Sequence, residues 1–581
     1  MKRSWSSLCL LLLIGVLLLS ACSNNSGGGN SPNATDDPSS PKPSESAPPE
    51  ESGLKTDGLI PASDLSKNPS AATARKDTFI VGIDAPKGVF HPLYQESVYD
   101  AYVNAALFDS LLSTNKDGSP GPGLAEKWDI SEDKLVYTFH LVKDAKFSDG
   151  TPITAEDVAF TTTLLFDKAY TGPVDATTTS LKGGKDYKEG KATSISGIRV
   201  VDPHTIEFTT EKISATTLTT LGGPVISKAY YGKGYKQGNL DYLKDLYLKP
   251  MGSGPYILDK YIAGQEVRLK ANPSYWNGAP KIPNLIYKTT TDDTRIQLLQ
   301  TGEIDIDQVA VNKDSVEQLQ SFGFLDVNLF PTNGYGYIAF NHKRPLFQDK
   351  KVRQALTYGL DRKQIVDAVY QGYADVLNVP QSKVSWSYTD DVNKYEFNLE
   401  TAKKLLDEAG WVVGSDGIRE KDGVKFKISF AASTPNPVNE AIIPIAEENY
   451  KELGIEFVAE QMEFNAMLDK REKGDFDMLF MAWSLTPEPD TTEIFGTGGP
   501  YNDIGYSNAE ADKLLAQGIS ELEIDKRKPV YQELYKVLND DLPYIFLYQR
   551  RDMWAVNARV QGFDMSPFRE FTSDLHKIEI K

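Results

Sequence analysis

The chain has 581 residues, 40% of them apolar and 25% charged, which is enough to bury several cores and implies more than one domain. A net charge of -19 with no basic stripe excludes a nucleic-acid partner. Both cysteines, Cys9 and Cys22, lie within the first 22 residues, and the five histidines show no metal-ligand spacing. The folded body is therefore expected to carry no disulfide, no thiol chemistry, no resident metal and no cofactor.

Lys2 and Arg3 precede an apolar run from Leu8 to Leu19, followed by Ser20-Ala21-Cys22. A positive start and a short apolar segment read as a secretory signal rather than a stable membrane span. Leu19-Ser20-Ala21-Cys22 resembles the bacterial lipobox, in which the leader is cut before the cysteine and that cysteine carries the lipid. The resemblance implies a signal peptide over residues 1–21 and acyl chains, palmitate among them, on Cys22. At about 0.8 kcal/mol per buried methylene, such chains anchor the protein to the extracytoplasmic face of the cell membrane. Residues 22–75 turn to Ser, Asn, Gly, Pro and acid without apolar periodicity, so they are expected to form a disordered tether.

Order is expected to begin with an alternating strand over residues 77–83, followed by a helix over 100–112 that carries Tyr102, Ala105, Ala106, Leu111 and Leu112 at helical spacing. A strand over 135–141, a short strand at Lys146 and Phe147 and an Asp149-Gly150 turn come next. Thr154 then N-caps a helix, with Asp157 three residues on to close a capping box. Gly302 is placed to cap a helix over 295–300, residues 348–359 read as an amphipathic helix, and Asn398 starts another that Gly410 stops. Residues 476–484, Phe-Asp-Met-Leu-Phe-Met-Ala-Trp-Ser, are an apolar run of strand length, expected to be buried on both faces until a Pro-rich exit opens its end. Strands alternating with helices along the body point to α/β domains with open sheets.

The segments Gly123-Leu124-Ala125-Glu126-Lys127-Trp128 and Phe147-Ser148-Asp149-Gly150-Thr151-Pro152-Ile153-Thr154-Ala155-Glu156-Asp157-Val158 carry the strongest signal of identity. Gly252-Ser253-Gly254-Pro255-Tyr256, Asn272-Pro273-Ser274-Tyr275-Trp276 and Val352-Arg353-Gln354-Ala355-Leu356 follow in the same order. From residue 77 to 581 the chain resembles the bacterial extracellular solute-binding protein family 5, the oligopeptide, dipeptide and nickel binders of ABC importers. The resemblance implies a periplasmic-binding-protein-like α/β fold, with two hinged lobes and three structural domains. Residues 76–113, 252–334 and 550–581 would form domain I of the first lobe, 114–251 its inserted domain II, and 335–549 the second lobe. It further implies a monomeric carrier, on a Gram-positive type of cell surface, that passes peptides to the permease subunits of an importer.

A carrier of diverse peptides must read the backbone they share, which an added strand does. Ala482-Trp483-Ser484 is similar to the family segment that lines the ligand through its main chain, with Trp483 stacking on ligand side chains. Tyr335 and Tyr337, on the matching strand over residues 333–341, are candidates to face the cleft, and Tyr337 is equally a candidate for the core. Family members place an Asp three residues after the Trp for the ligand's α-ammonium; here that position is Thr486, so Asp490 and secondarily Glu488 are the acidic candidates. Tyr94, after the first strand, completes the set. An oligosaccharide or chelated nickel on the same fold, or a secreted hydrolase using two carboxylates, are the alternatives. No nucleophile elbow, His-Glu-x-x-His helix or phosphate loop is present, so binding without turnover is the expected activity.

Overall fold

The computed structural model describes residues 55–581, so Cys22, the leader and most of the tether lie outside the described residues. The local signals place elements closely. The strand expected over 77–83 is Thr78–Ile83, the capped helix is Ala155–Leu165 with Asp157 Oδ2 accepting from the Thr154 N–H at 2.8 Å, and Asn398 accepts from the Thr401 N–H to start Leu399–Glu408. Gly302 ends its helix at φ 70°, a left-handed conformation that costs glycine nothing. Three expectations differ. Residues 55–75 are not part of a tether: Gly58–Ile60 pairs antiparallel with Leu325–Pro331, and Leu65–Lys67 and Ser70–Thr73 are short helices, so order begins before residue 77 because this segment finds a partner strand far along the chain. The helix after Thr78–Ile83 is Val98–Leu107, because Phe108 turns extended and leads to a strand, Leu112–Thr114. Lys146 and Phe147 give one bridge, Lys146 to Pro152, rather than a strand.

One large mixed sheet runs through the molecule. In its first half, Thr78–Ile83 lies parallel to Asn284–Thr289 and to Ile306–Gln308, with Glu266–Ala271 and Tyr256–Ile262 beyond. In its second half, Glu456–Met462, Lys427–Ser433, Met478–Ser484 and Gly334–Phe340 lie side by side. The fourteen-residue strand Tyr544–Asn557 belongs to both halves, pairing with Gly334–Phe340 through residues 544–548 and with Leu325–Pro331 through residues 551–557. The chain thus crosses between the halves twice, at residues 331–334 and near 549–551. Residues 125–209 contribute a separate four-stranded antiparallel sheet.

Helices cover both faces of the second half, so its central strand Gly334–Phe340 is buried at every position, as expected where a strand is covered on both sides. Gly336 sits at a register shift there, and a Cβ on it would come within 2.4 Å of the Tyr548 ring, so only glycine allows the approach. The two halves also touch along a rim. The Lys134 Nζ lies 2.9 Å from Glu521 Oε1, and the Ala215 N–H donates to the Ile519 carbonyl at 2.8 Å.

Candidate functional site

Strands of both halves end toward the crossings. In open α/β sheets the region outside the carboxyl ends of parallel strands is where ligands bind. In the second half, Lys427–Ser433 and Met478–Ser484 run parallel and end there, and Ser484 pairs with Gly334 at one crossing. In the first half, Thr78–Ile83 and Asn284–Thr289 end at Asp84 and Thr290.

Met478–Ser484 pairs along its whole length with Gly334–Phe340 on one side, but Lys427–Ser433 reaches its other side only at Met478 and Leu479. Burial follows the pairing. Met478, Leu479 and Phe480 are buried, whereas Ala482 and Ser484 are exposed and Met481 and Trp483 half-buried. The expected burial on both faces therefore holds for the first three residues and fails for the last four, because one neighbouring strand has diverged. The Leu485 N–H donates to the Asn333 carbonyl at 2.8 Å, so residues 483 and 485 turn their main chain toward the paired edge. Amide directions alternate along a strand, which turns those of Ala482 and Ser484 toward the open edge. Among the described residues no strand pairs with that edge.

The Trp483 indole lies parallel to the Tyr337 ring, with centroids 6.2 Å apart and planes 6° apart, and Tyr337 in turn stacks on Tyr544 at 4.0 Å. Tyr335 and Tyr337 are buried in the core, which corrects Tyr335 as a cleft-facing candidate and puts Tyr337 on the core side of its two alternatives: both faces of their strand are covered, so alternation puts neither side in the open. Their role is to back the indole. Two neighbours of Trp483 were not anticipated. The Arg471 guanidinium stands 5.9 Å over the indole, and the exposed Tyr501 ring lies 5.9 Å from it. Arg471 is one charge among several on Phe464–Lys473, and nothing in its local sequence distinguishes it.

The loop after the strand is held from within. Thr486 Oγ1 donates to the Glu488 carbonyl at 2.9 Å, and the Glu488 carboxylate is clasped by both Nη atoms of Arg527. Arg527 also lies 5.2 Å over Trp386 and 5.5 Å over Tyr531. Burial pushes the Glu488 carboxyl up from its ordinary value, against the pull of Arg527. Glu488 is therefore committed to an internal pair and is not available to a ligand, a correction to the secondary expectation. Asp490 Oδ1 accepts from the Thr492 N–H at 3.1 Å and its hydroxyl at 2.6 Å, and burial pushes its carboxyl up. Burial also raises Glu493, followed by the charges of Asp175 and Asp490.

Tyr94 stands apart from these groups. It is half-buried between His91 and Tyr170, each at 5.3 Å, and its hydroxyl is buried with no partner among the described residues. His91 is fully buried, and burial lowers its pKa to about 3, so it is neutral at physiological pH.

Among known proteins, the family description Bacterial extracellular solute-binding proteins, family 5 Middle matches residues 119–503. The oligopeptide-binding protein AppA of Bacillus subtilis is 31% identical over 509 residues, covering 86% of this chain and 90% of that one. Heme-binding protein A of Haemophilus influenzae is 28% identical over 545 residues, with 88% and 95% covered. The solved structure of AppA from Bacillus subtilis in complex with a nonapeptide superposes with a TM-score of 0.72 at 29% identity, covering 87% of this chain and 99% of that one. The two-half α/β architecture is thus shared with proteins of known structure, and the chain belongs to the bacterial extracellular solute-binding proteins, family 5.

Proposed function

We propose that this protein is the extracytoplasmic binding component of an ABC importer, capturing peptides between its two lobes and delivering them unchanged to a membrane permease. The single observation that carries the reading is the unpaired edge of Ala482-Trp483-Ser484 at the carboxyl end of the second half's sheet. An extended peptide laid along it gains main-chain hydrogen bonds from Ala482 and Ser484 whatever its sequence, while Trp483 offers an aromatic face to its side chains. Asp490 supplies negative charge at the end of that edge, and Tyr94 faces the peptide from the first lobe. The similarity to an oligopeptide-binding protein over most of both chains points to the same cargo.

In this reading residues 76–113, 252–334 and 550–581 form domain I, residues 114–251 domain II and residues 335–549 the opposing lobe, hinged at the two crossings. Ligand bridging the lobes shifts the open form to the closed one by its differential affinity. Cys22, acylated after removal of residues 1–21, holds the monomeric carrier at the membrane. The protein binds without turnover.

The test is titration of the protein with peptides of three to nine residues, followed by melting and small-angle scattering. At a hundredfold excess over Kd, ligand stabilises the bound form by about 2.7 kcal/mol, so the melting temperature rises and the radius of gyration falls. A protein whose melting and dimensions are unmoved by every peptide, or which releases cleaved peptide, refutes the reading.

A further inference from the structure

The loop that follows the open strand edge ends against the first lobe. Past Ser484 the ladder cannot continue: the Leu485 N–H donates to the Asn333 carbonyl, and Asn333 Nδ2 donates to the carbonyls of Leu485 and Thr486 at 2.8 and 3.0 Å. Arg527 draws the Glu488 carboxylate inward. Pro487, between these two anchors, meets a turn of residues 115–119 from the other lobe. A Cβ placed on Gly118 would stand 2.9 Å from the Pro487 Cβ and 3.2 Å from the Phe568 ring. Gly118 has φ 84°, so glycine alone allows both the tight tip and the close approach.

The turn is held from both sides. It joins the paired strands Leu112–Thr114 and Pro120–Pro122. Within it the Asn115 N–H donates to the Ser119 carbonyl at 2.8 Å, and the Ser119 N–H to Asp117 Oδ1 at 3.0 Å. Outside it Lys116 pairs with Asp564, and Ser566 Oγ donates to the Lys116 carbonyl at 3.1 Å. The turn and the C-terminal segment are thus one block of the first lobe, with Gly118 at its tip.

From Ser484 to Pro487 the chain takes three steps, which span at most about 10 Å. A peptide strand paired to Ala482 and Ser484 therefore has room for about three residues before it reaches the contact of Pro487 with Gly118. Toward Met478 the edge is bounded differently, by the divergence of Lys427–Ser433 rather than by a contact with the first lobe.

Resting on the peptide reading above, we propose that the turn of residues 115–119, seated through Gly118 on Pro487, is an end stop that fixes one terminus of the bound peptide and so sets its register. Admitting a further residue at this end requires the lobes to part, at the expense of the contacts of Lys134 with Glu521 and of Ala215 with Ile519 along the same rim.

The test uses the intact protein and the tightest-binding peptide of the titration above, extended by two alanines at its N-terminus or at its C-terminus. Extension at the stopped terminus is expected to weaken binding on the order of tenfold or more. Replacing residues 115–119 by Asn-Gly, which a two-residue hairpin accepts, withdraws the tip from Pro487 and is expected to bring that penalty toward one. The terminus whose penalty is relieved is the one seated at Pro487. No penalty at either terminus, or a penalty that survives the shortened turn, overturns the end stop alone. Gly118→Asn tolerates the left-handed backbone but drives a side chain into Pro487, so it is expected to weaken every peptide on the order of tenfold, and Pro487→Gly added to it to restore most of the loss. Parental affinity in the single variant, or no recovery in the double one, likewise overturns the stop. Where the asparagine variant melts early without peptide, the shortened turn decides. If no peptide binds the parent protein, the peptide reading fails and this inference with it.

Discussion

Removal of Arg527 tests the account of the loop that follows the strand edge. Its side chain is 5% exposed and that of its partner Glu488 13%, so the pair is largely shielded from solvent screening. Arg527→Met leaves Glu488 ionised and buried with no countercharge, and loses the carbonyl of Gly518 at 2.9 Å and the faces of Trp386 and Tyr531 as partners. Breaking a buried pair from one side costs about 3–5 kcal/mol. For a cooperative unit of about 200 residues, each kcal/mol moves the melting temperature by about 2–4 °C, so a fall of about 10 °C is expected by scanning calorimetry. The double variant Arg527→Met with Glu488→Leu is expected to recover most of it, since the uncompensated charge is gone. The sign with pH is fixed by the same argument. With Arg527 absent, the folded-state pKa of Glu488 rises further above its unfolded value, so the deficit of the single variant relative to the parent is smallest at low pH and grows as pH rises through that pKa. A single variant melting within about 2 °C of the parent, or a double variant no better than the single, would show that the unpaired charge is not what the pair prevents.

Trp483→Ala is expected to weaken peptide binding by about 2 kcal/mol, as for an aromatic anchor, and Asp490→Ala to weaken it for peptides with a free N-terminus; calorimetric titration returning parental affinities removes either residue from the site. Lys134→Met cuts the ion pairs to Glu521 and Glu523 at the rim, 2.9 and 3.8 Å long. As a partly exposed contact it is worth about 0.5–1 kcal/mol, so stopped-flow release of peptide is expected to quicken a few-fold at low salt and to match the parent in 1 M salt. Burial depresses His91 to about 3 and His342 to about 4, so their neutral forms support stability that is whole above pH 6.5 and lost as pH falls toward those values. Asp109 and Asp307, both raised to about 6 by burial, act in the opposite sense. The readout is therefore the melting temperature of His91→Gln minus that of the parent, which is expected to increase between pH 7 and pH 4; a constant difference refutes it.

What the sequence by itself determined is local or cumulative. The Thr154 to Asp157 box, the Asn398 cap and the Gly302 stop depend on residues three or four apart, so their spacing carries the whole cause. Family membership was legible too, because many short ordered motifs across the body leave little room for coincidence, and the matched family and the two-half α/β fold agree with it. The environment of each candidate residue was decided only by tertiary structure. Nothing within residues 476–484 tells where Lys427–Ser433 diverges, and that divergence alone opens the edge at Ala482 and Ser484. Alternation separates Tyr335 and Tyr337 from their neighbours but does not say that helices cover both faces of their strand. Glu488 meets Arg527 across 39 residues. The physical reason is the same in each case: a cap is set by bonds along the chain, whereas exposure and charge pairing are set by which distant surfaces the folded core brings together.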